Sequence, residues 1–152
     1  MTSTTGTCQI CERTLKVNRG KISLHGYNRP GHGYIQGRCP GSGQPPWEVS
    51  SDALRRFVDD VLERRLAHVR ENLAYITNPD LKEITEVKVS RGQPGEVKIW
   101  KRGERDDRGY DMFGILTEGR KRQYESEIRL LEREIARHRD RLAAWRPKSQ
   151  TK

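Results

Sequence analysis

Apolar side chains are scarce in this sequence. Of its 152 residues 32% are hydrophobic and 7% aromatic, with two Phe and two Met, and the mean hydropathy is −0.96. Such a chain cannot fill a broad globular core. It suits elongated elements that bury one stripe each, with something besides apolar burial to hold the rest. Long apolar runs are also missing: none approaches the roughly 18–20 residues of a membrane span, and Met1–Thr7 lacks the basic-then-apolar pattern of an export signal. A cytoplasmic protein with no membrane partner is expected. Cysteine is limited to three residues, an odd number that includes one C-x-x-C. In that context metal ligation fits better than a disulfide framework.

Reaction motifs are absent too. There is no G-x-S-x-G nucleophile elbow and no glycine-rich phosphate loop opening a helix. A ββα-metal nuclease would need a second tight cysteine pair and a histidine beside an Asp or Glu, and the sequence has neither. His68 and His138 stand alone on predicted helices. The expectation is a protein that is not an enzyme, with no catalytic residues.

What is present is charge and periodicity. Charged residues make up 34% of the chain and the net charge is +9. Residues 1–50 hold 6 Lys/Arg against 2 Asp/Glu, residues 120–152 hold 11 against 5, and the middle is near neutral. Basic ends suit an anionic partner, although a charge run alone is more often a solvated face.

Residues 1–50 also carry 8 of the 14 Gly and 4 of the 7 Pro. They read as a turn-rich module with short strands such as 13–17 and 21–24 about an Asn18-Arg19-Gly20 turn. From Ser51 to Asn78 there is neither Gly nor Pro. Ser51 or Asp52 suits an N-cap, and Leu62, Leu66, Val69, Leu73 and Ile76 recur at helical spacing. A second helix is predicted over 118–146, ended by Pro147, with a seam of Ile128, Leu131, Ile135, His138, Leu142 and Trp145. Between the helices, 84–90 and 96–102 flank Arg91-Gly-Gln-Pro-Gly95 and read as a β-hairpin, followed by a polar loop and a short returning segment at 110–116. The expected fold is α+β: a zinc-ribbon-like module at 1–50, then at 51–149 an antiparallel two-helix, coiled-coil-like arm (51–78 and 118–146) with the β-hairpin inserted at its tip (80–117). A monomer is favoured, with dimerisation through the helices as the alternative.

Cys8-Gln-Ile-Cys11 is the tight half of a zinc knuckle, able to hold one ion while the intervening backbone donates N–H groups to sulfur. Cys39 and one histidine complete a Cys3His set that would bind one structural Zn2+. His25 ends a predicted strand before Gly26, where a ribbon places a ligand. His32 lies in the Arg29–Gly33 turn as the substitute. Three thiolates and an imidazole would close the site to water, unlike a catalytic zinc.

Cys8-x-x-Cys11, then His25-Gly-Tyr-Asn-Arg-Pro-Gly-His-Gly33, then Cys39-Pro-Gly and Pro46-Trp-Glu48 resemble a family of small zinc-ribbon-like proteins of bacteriophage and bacterial genomes. The resemblance covers about residues 1–55. It implies Cys8, Cys11, His25 and Cys39 as shared ligand positions, with His32 at a variable place, and it implies no activity. A phage-encoded chain would work in the host cytoplasm.

Two binding roles follow. Arg13, Lys16, Arg19, Lys21, Arg29 and Arg38 accompany Tyr27, Tyr34 and Trp47, a mixture suited to phosphate contact with base stacking. Arg120, Lys121 and Arg122 open the last helix, and Arg133 and Arg137 belong to a row of arginines at four-residue steps. Nucleic-acid binding through these residues is the first expectation. The alternative is a phage-encoded factor that binds or inhibits a host protein through the helical arm or hairpin tip.

Overall fold

The computed structural model describes residues 4–29, 33–88 and 95–147. His32, the end of the first hairpin strand at 89–90 and most of its predicted turn, 91–94, lie outside the described residues. The strands β1 (Thr5–Thr7), β2 (Thr14–Asn18) and β3 (Lys21–Ile22) form an antiparallel sheet in that order. Arg19 and Gly20 connect β2 to β3 with φ of 50° and 75°. Positive φ at both central residues matches the twist of a two-residue hairpin. A second pair, β4 (Gly26–Arg29) and β5 (Gly33–Arg38), is antiparallel with a register shift at Gly26/Tyr27.

A helix then runs without a break through α1 (Asp52–Arg56), a π-helical turn (Phe57–Leu62) and α2 (Glu63–Ile76). Strands β6 (Glu83–Lys88) and β7 (Glu96–Lys101) pair antiparallel, Ile84 opposite Trp100 and Val87 opposite Val97. The helix α3 (Met112–Ala144) completes the chain's elements. Among the described residues no helix is long and apolar enough to cross a membrane.

The chain divides into two compact units. The first, Met1–Arg64 with Arg133–Lys152, holds the small sheets at β1–β5 and buries Ile10, Ile22, Leu54, Val58 and the three cysteines. Here Trp145 donates its indole N–H to the Trp47 carbonyl at 2.7 Å and meets the Trp47 ring edge-on. The second, Arg65–Glu132, has its own apolar cluster of Ile76, Leu81, Ile84, Trp100 and Phe113. The Trp100 N–H is satisfied by Glu86 at 2.9 Å.

Two expectations need correction. The long helices do not make an antiparallel, coiled-coil-like arm: the fold is α+β with three separate small sheets, one helix over Asp52–Ile76 and a longer one over Met112–Ala144. A coiled-coil seam would hold the axes about 8–10 Å apart along a shared run of apolar knobs. Among the described residues, close backbone approach instead runs between paired strands and within the first helix. The seam residues are shared out among local partners. Leu73 and Ile76 go to the β6–β7 cluster, His138 meets Phe57 edge-on, and Trp145 goes to Trp47. Long ion-pairing side chains do some of the bridging, as in Arg65–Glu127 and Arg70–Glu132, both 2.7 Å.

The second correction is the start of the last helix, at Met112 rather than 118. Gly114 disguises that first turn, since glycine disfavours helix by about 1 kcal/mol. Asp111 caps it by accepting the Gly114 N–H at 2.9 Å, and Phe113 is buried in the cluster with Trp100. The N-cap of the first helix falls where expected. Ser51 occupies the N-cap position without a side-chain cap bond, and the acceptor comes from afar: Gln9 Oε1 takes the Leu54 N–H at 3.0 Å.

Candidate metal centre

Two chain segments bring the ligands together. The first is the tight loop between β1 and β2. It closes on itself because the Cys8 N–H donates to the Arg13 carbonyl at 2.9 Å and the Glu12 N–H to the Cys8 carbonyl at 3.1 Å. Glu12, just past Cys11, takes the left-handed backbone with φ 62°. The second is the base of the β4–β5 hairpin. His25 immediately precedes β4, Cys39 immediately follows β5, and the Cys39 N–H donates to the His25 carbonyl at 3.0 Å. Strand pairing therefore sets these two side by side although thirteen residues intervene.

Cys8, Cys11, His25 and Cys39 present their ligand atoms all within 4.8 Å of one another, the cysteines buried and His25 half-buried. Cys8 Sγ lies 3.8 Å from Cys39 Sγ, and Cys11 Sγ lies 3.4 Å from His25 Nε2. Zinc–sulfur and zinc–nitrogen bonds of about 2.3 and 2.0–2.1 Å in a tetrahedron give S···S and S···N edges of about 3.8 and 3.6 Å. The donor set is thus spaced for one structural metal ion such as zinc.

Close packing around the sulfurs is consistent with this. A Cβ placed on Gly41 would come within 2.3 Å of Cys8 Sγ, so only glycine fits there. The Cys8 thiol is held down to about 5, first by its hydrogen bond with Cys39 and then by the N–H groups of Cys11 and Ile10, against burial that pushes it up. Cys39 is pushed the other way, first by Cys8 and then by burial, although the Gly41 N–H pulls it down. A metal ion bound between these sulfurs would displace their protons.

His25 has a defined tautomer. Its Nδ1 lies 2.8 Å from the Ser23 carbonyl, which can only accept, so Nδ1 carries the hydrogen and Nε2 keeps its lone pair facing Cys11. Ser42 Oγ lies 3.1 Å from the same Nδ1 and accepts the His25 backbone N–H at 3.2 Å. Arg13 donates from Nε to Cys11 Sγ at 3.5 Å and also to the Gly26 carbonyl. The Cys11 sulfur holds the Arg13 guanidinium pKa above its usual value. Three thiolates, a neutral imidazole and a divalent ion sum to one negative charge, which Arg13 offsets.

The other basic residues singled out in the sequence separate into two groups. Arg29 forms a bidentate pair with buried Glu134, Arg137 pairs with Glu12, Arg120 donates to the Thr85 carbonyl, and Lys121 and Arg122 reach Glu118 at 3.9 and 3.1 Å. Lys16, Arg19, Lys21 and Arg38 are exposed and make no ion pair among the described residues. Arg133 is exposed on α3. Of the aromatics, Tyr34 is exposed, Tyr27 is half-buried, and Trp47 packs between Trp145 and the Arg141 guanidinium, 4.7 Å from its ring centre.

Ser42, Gly41 and Gln9 are functional neighbours that the sequence reading passed over. The first was detectable: Ser42 stands three residues after Cys39, where a repeated C-x-x-C would place its second thiol. No family model matches the chain, and no curated protein or solved structure matches it significantly.

Proposed function

We propose that this chain is a zinc-stabilised binding protein without catalytic activity, and that it grips nucleic acid chiefly through the β2–β3 hairpin. The closed Cys3His donor set supports a structural role for the ion, since it leaves no ligand position for water or substrate. The observation that carries the nucleic-acid reading is the state of the hairpin cations. Lys16 and Lys21 share one face through the Asn18↔Lys21 register, Arg19 stands at the turn, and all three are exposed without an ion-pair partner among the described residues. Cations that neutralise no protein carboxylate are the ones free to displace counterions from a phosphate backbone. Exposed Tyr34 adds a stacking surface. The reading takes in the resemblance of residues 1–55 to small phage and bacterial ribbon-like proteins, which rests on the same ligand positions.

A second reading has its own support. One face of the β6–β7 hairpin presents Val87 opposite Val97, with Ile99 beside them, all more than half exposed. Such a face suits a protein partner, in keeping with a factor that acts on a host protein.

Elemental analysis of protein purified without chelator should give one zinc per chain, and Cys11→Ser should lose it. Anisotropy with short labelled DNA and RNA should show binding that weakens steeply with salt. Zinc-free protein would overturn the first half of the proposal, and salt-insensitive or absent nucleic-acid binding the second.

A further inference from the structure

The geometry points to Ser42 as the positioning residue of the metal centre: it stands at the sequence place where a repeated C-x-x-C would put its second thiol, and from the far side of the ring it holds the His25 imidazole in its ligating orientation. This inference rests on the zinc reading above and concerns how that site is built.

Cys39-Pro40-Gly41-Ser42 has the shape of a knuckle. The Ser42 N–H donates to the Cys39 carbonyl at 2.9 Å, closing the turn, and the Gly41 N–H is directed at Cys39 Sγ. The Cys8–Cys11 loop is built alike, with N–H groups of Ile10 and Cys11 directed at Cys8 Sγ. In the first knuckle the residue three places on supplies a sulfur. In the second it supplies a hydroxyl, and the fourth donor comes from position 25.

The hydroxyl is not idle. It accepts the His25 backbone N–H, lies 3.3 Å from the His25 carbonyl, and approaches Nδ1. Three contacts to one residue fix its backbone and its ring together, while the Ser23 carbonyl fixes the tautomer. A ligating histidine whose far nitrogen is so held binds its metal more tightly, because the ring need not be oriented on binding.

The test is zinc affinity by chelator competition and the visible spectrum of the Co2+-loaded protein. Wild type should bind one ion with a three-sulfur, one-nitrogen spectrum. Ser42→Ala should lose roughly ten- to hundredfold in affinity, and Ser42→Thr, which keeps the hydroxyl, should bind at least tenfold more tightly than Ser42→Ala. His25→Ala should release the metal. The inference is overturned by a loss short of tenfold in Ser42→Ala, or by a threonine variant no better than the alanine one. A wild type that binds no metal would remove the zinc reading itself, and this inference with it.

Discussion

Glu134 is one of the few ionised groups with almost no solvent, and its surroundings explain how it stays charged. Burial pushes its carboxyl up, but the His138 ring 3.7 Å away and the hydrogen bonds and charge of Arg29 outweigh that and hold it at about 2. The sign of its effect on stability follows. The ordinary value is 4.5, so above that pH the group is ionised folded or unfolded, and its contribution is whole. As the pH falls, the unfolded chain takes up the proton first, and the contribution drains away until it is gone near 2. The melting-temperature gap between wild type and Glu134→Gln should therefore be constant above about pH 4.5 and close as the pH approaches 2. A gap that widens on acidification would contradict the assignment. Much at this scale was legible beforehand. Cys8, Cys11, His25 and Cys39 were readable because thiol and imidazole spacing is a chemical signature that survives any surroundings. Sequence alone assigns Arg29 and Arg137 to phosphate, whereas the structure pairs them with carboxylates. Their partners Glu134 and Glu12 lie more than a hundred positions away in sequence, and only folding brings such pairs together.

At the scale of elements, the knuckle loop and the first helix are joined by one amide side chain. Gln9 is fully buried. It donates from Nε2 to the Pro45 carbonyl at 2.8 Å while its Oε1 accepts the Leu54 N–H, and its own carbonyl accepts from Arg141 at 3.2 Å. Replacing it strands a buried carbonyl and a helix N–H at once. Gln9→Ala should destabilise the protein by about 1–3 kcal/mol. Gln9→Leu, which restores the volume but neither hydrogen bond, should recover little of the loss. Thermal melts of the zinc-loaded variants decide between a polar and a space-filling role. The bodies of the helices were legible from apolar spacing and their ends from Pro79 and Pro147, each helix stopping two residues short of its proline. The early start of α3 was not, because Gly114 speaks against helix locally and the burial of Phe113 that outweighs it is a tertiary event. The arm failed for a related reason. Apolar spacing shows that a stripe is buried, but not that one partner buries all of it.

For the whole molecule, a net charge of +9 is a poor guide to where a partner binds, because many of the cations are already paired with protein carboxylates. Each phosphate contact removed should lower the slope of log affinity against log salt by about 0.7 on single strands and 0.9 on duplex. A variant combining Lys16→Ala, Arg19→Gly and Lys21→Ala should thus flatten the slope by roughly 2–3. Glycine is chosen at position 19 because its backbone there is left-handed, so the change relieves strain and folding is spared. Arg122→Ala serves as the control: its guanidinium is held by Glu118, and its loss should leave the slope nearly unchanged. If the triple variant binds with the wild-type slope, the basic hairpin is a solvated face. The apolar face of β6–β7 then becomes the surface to probe, since Val97→Lys and Ile99→Lys would remove a protein partner without touching the metal centre.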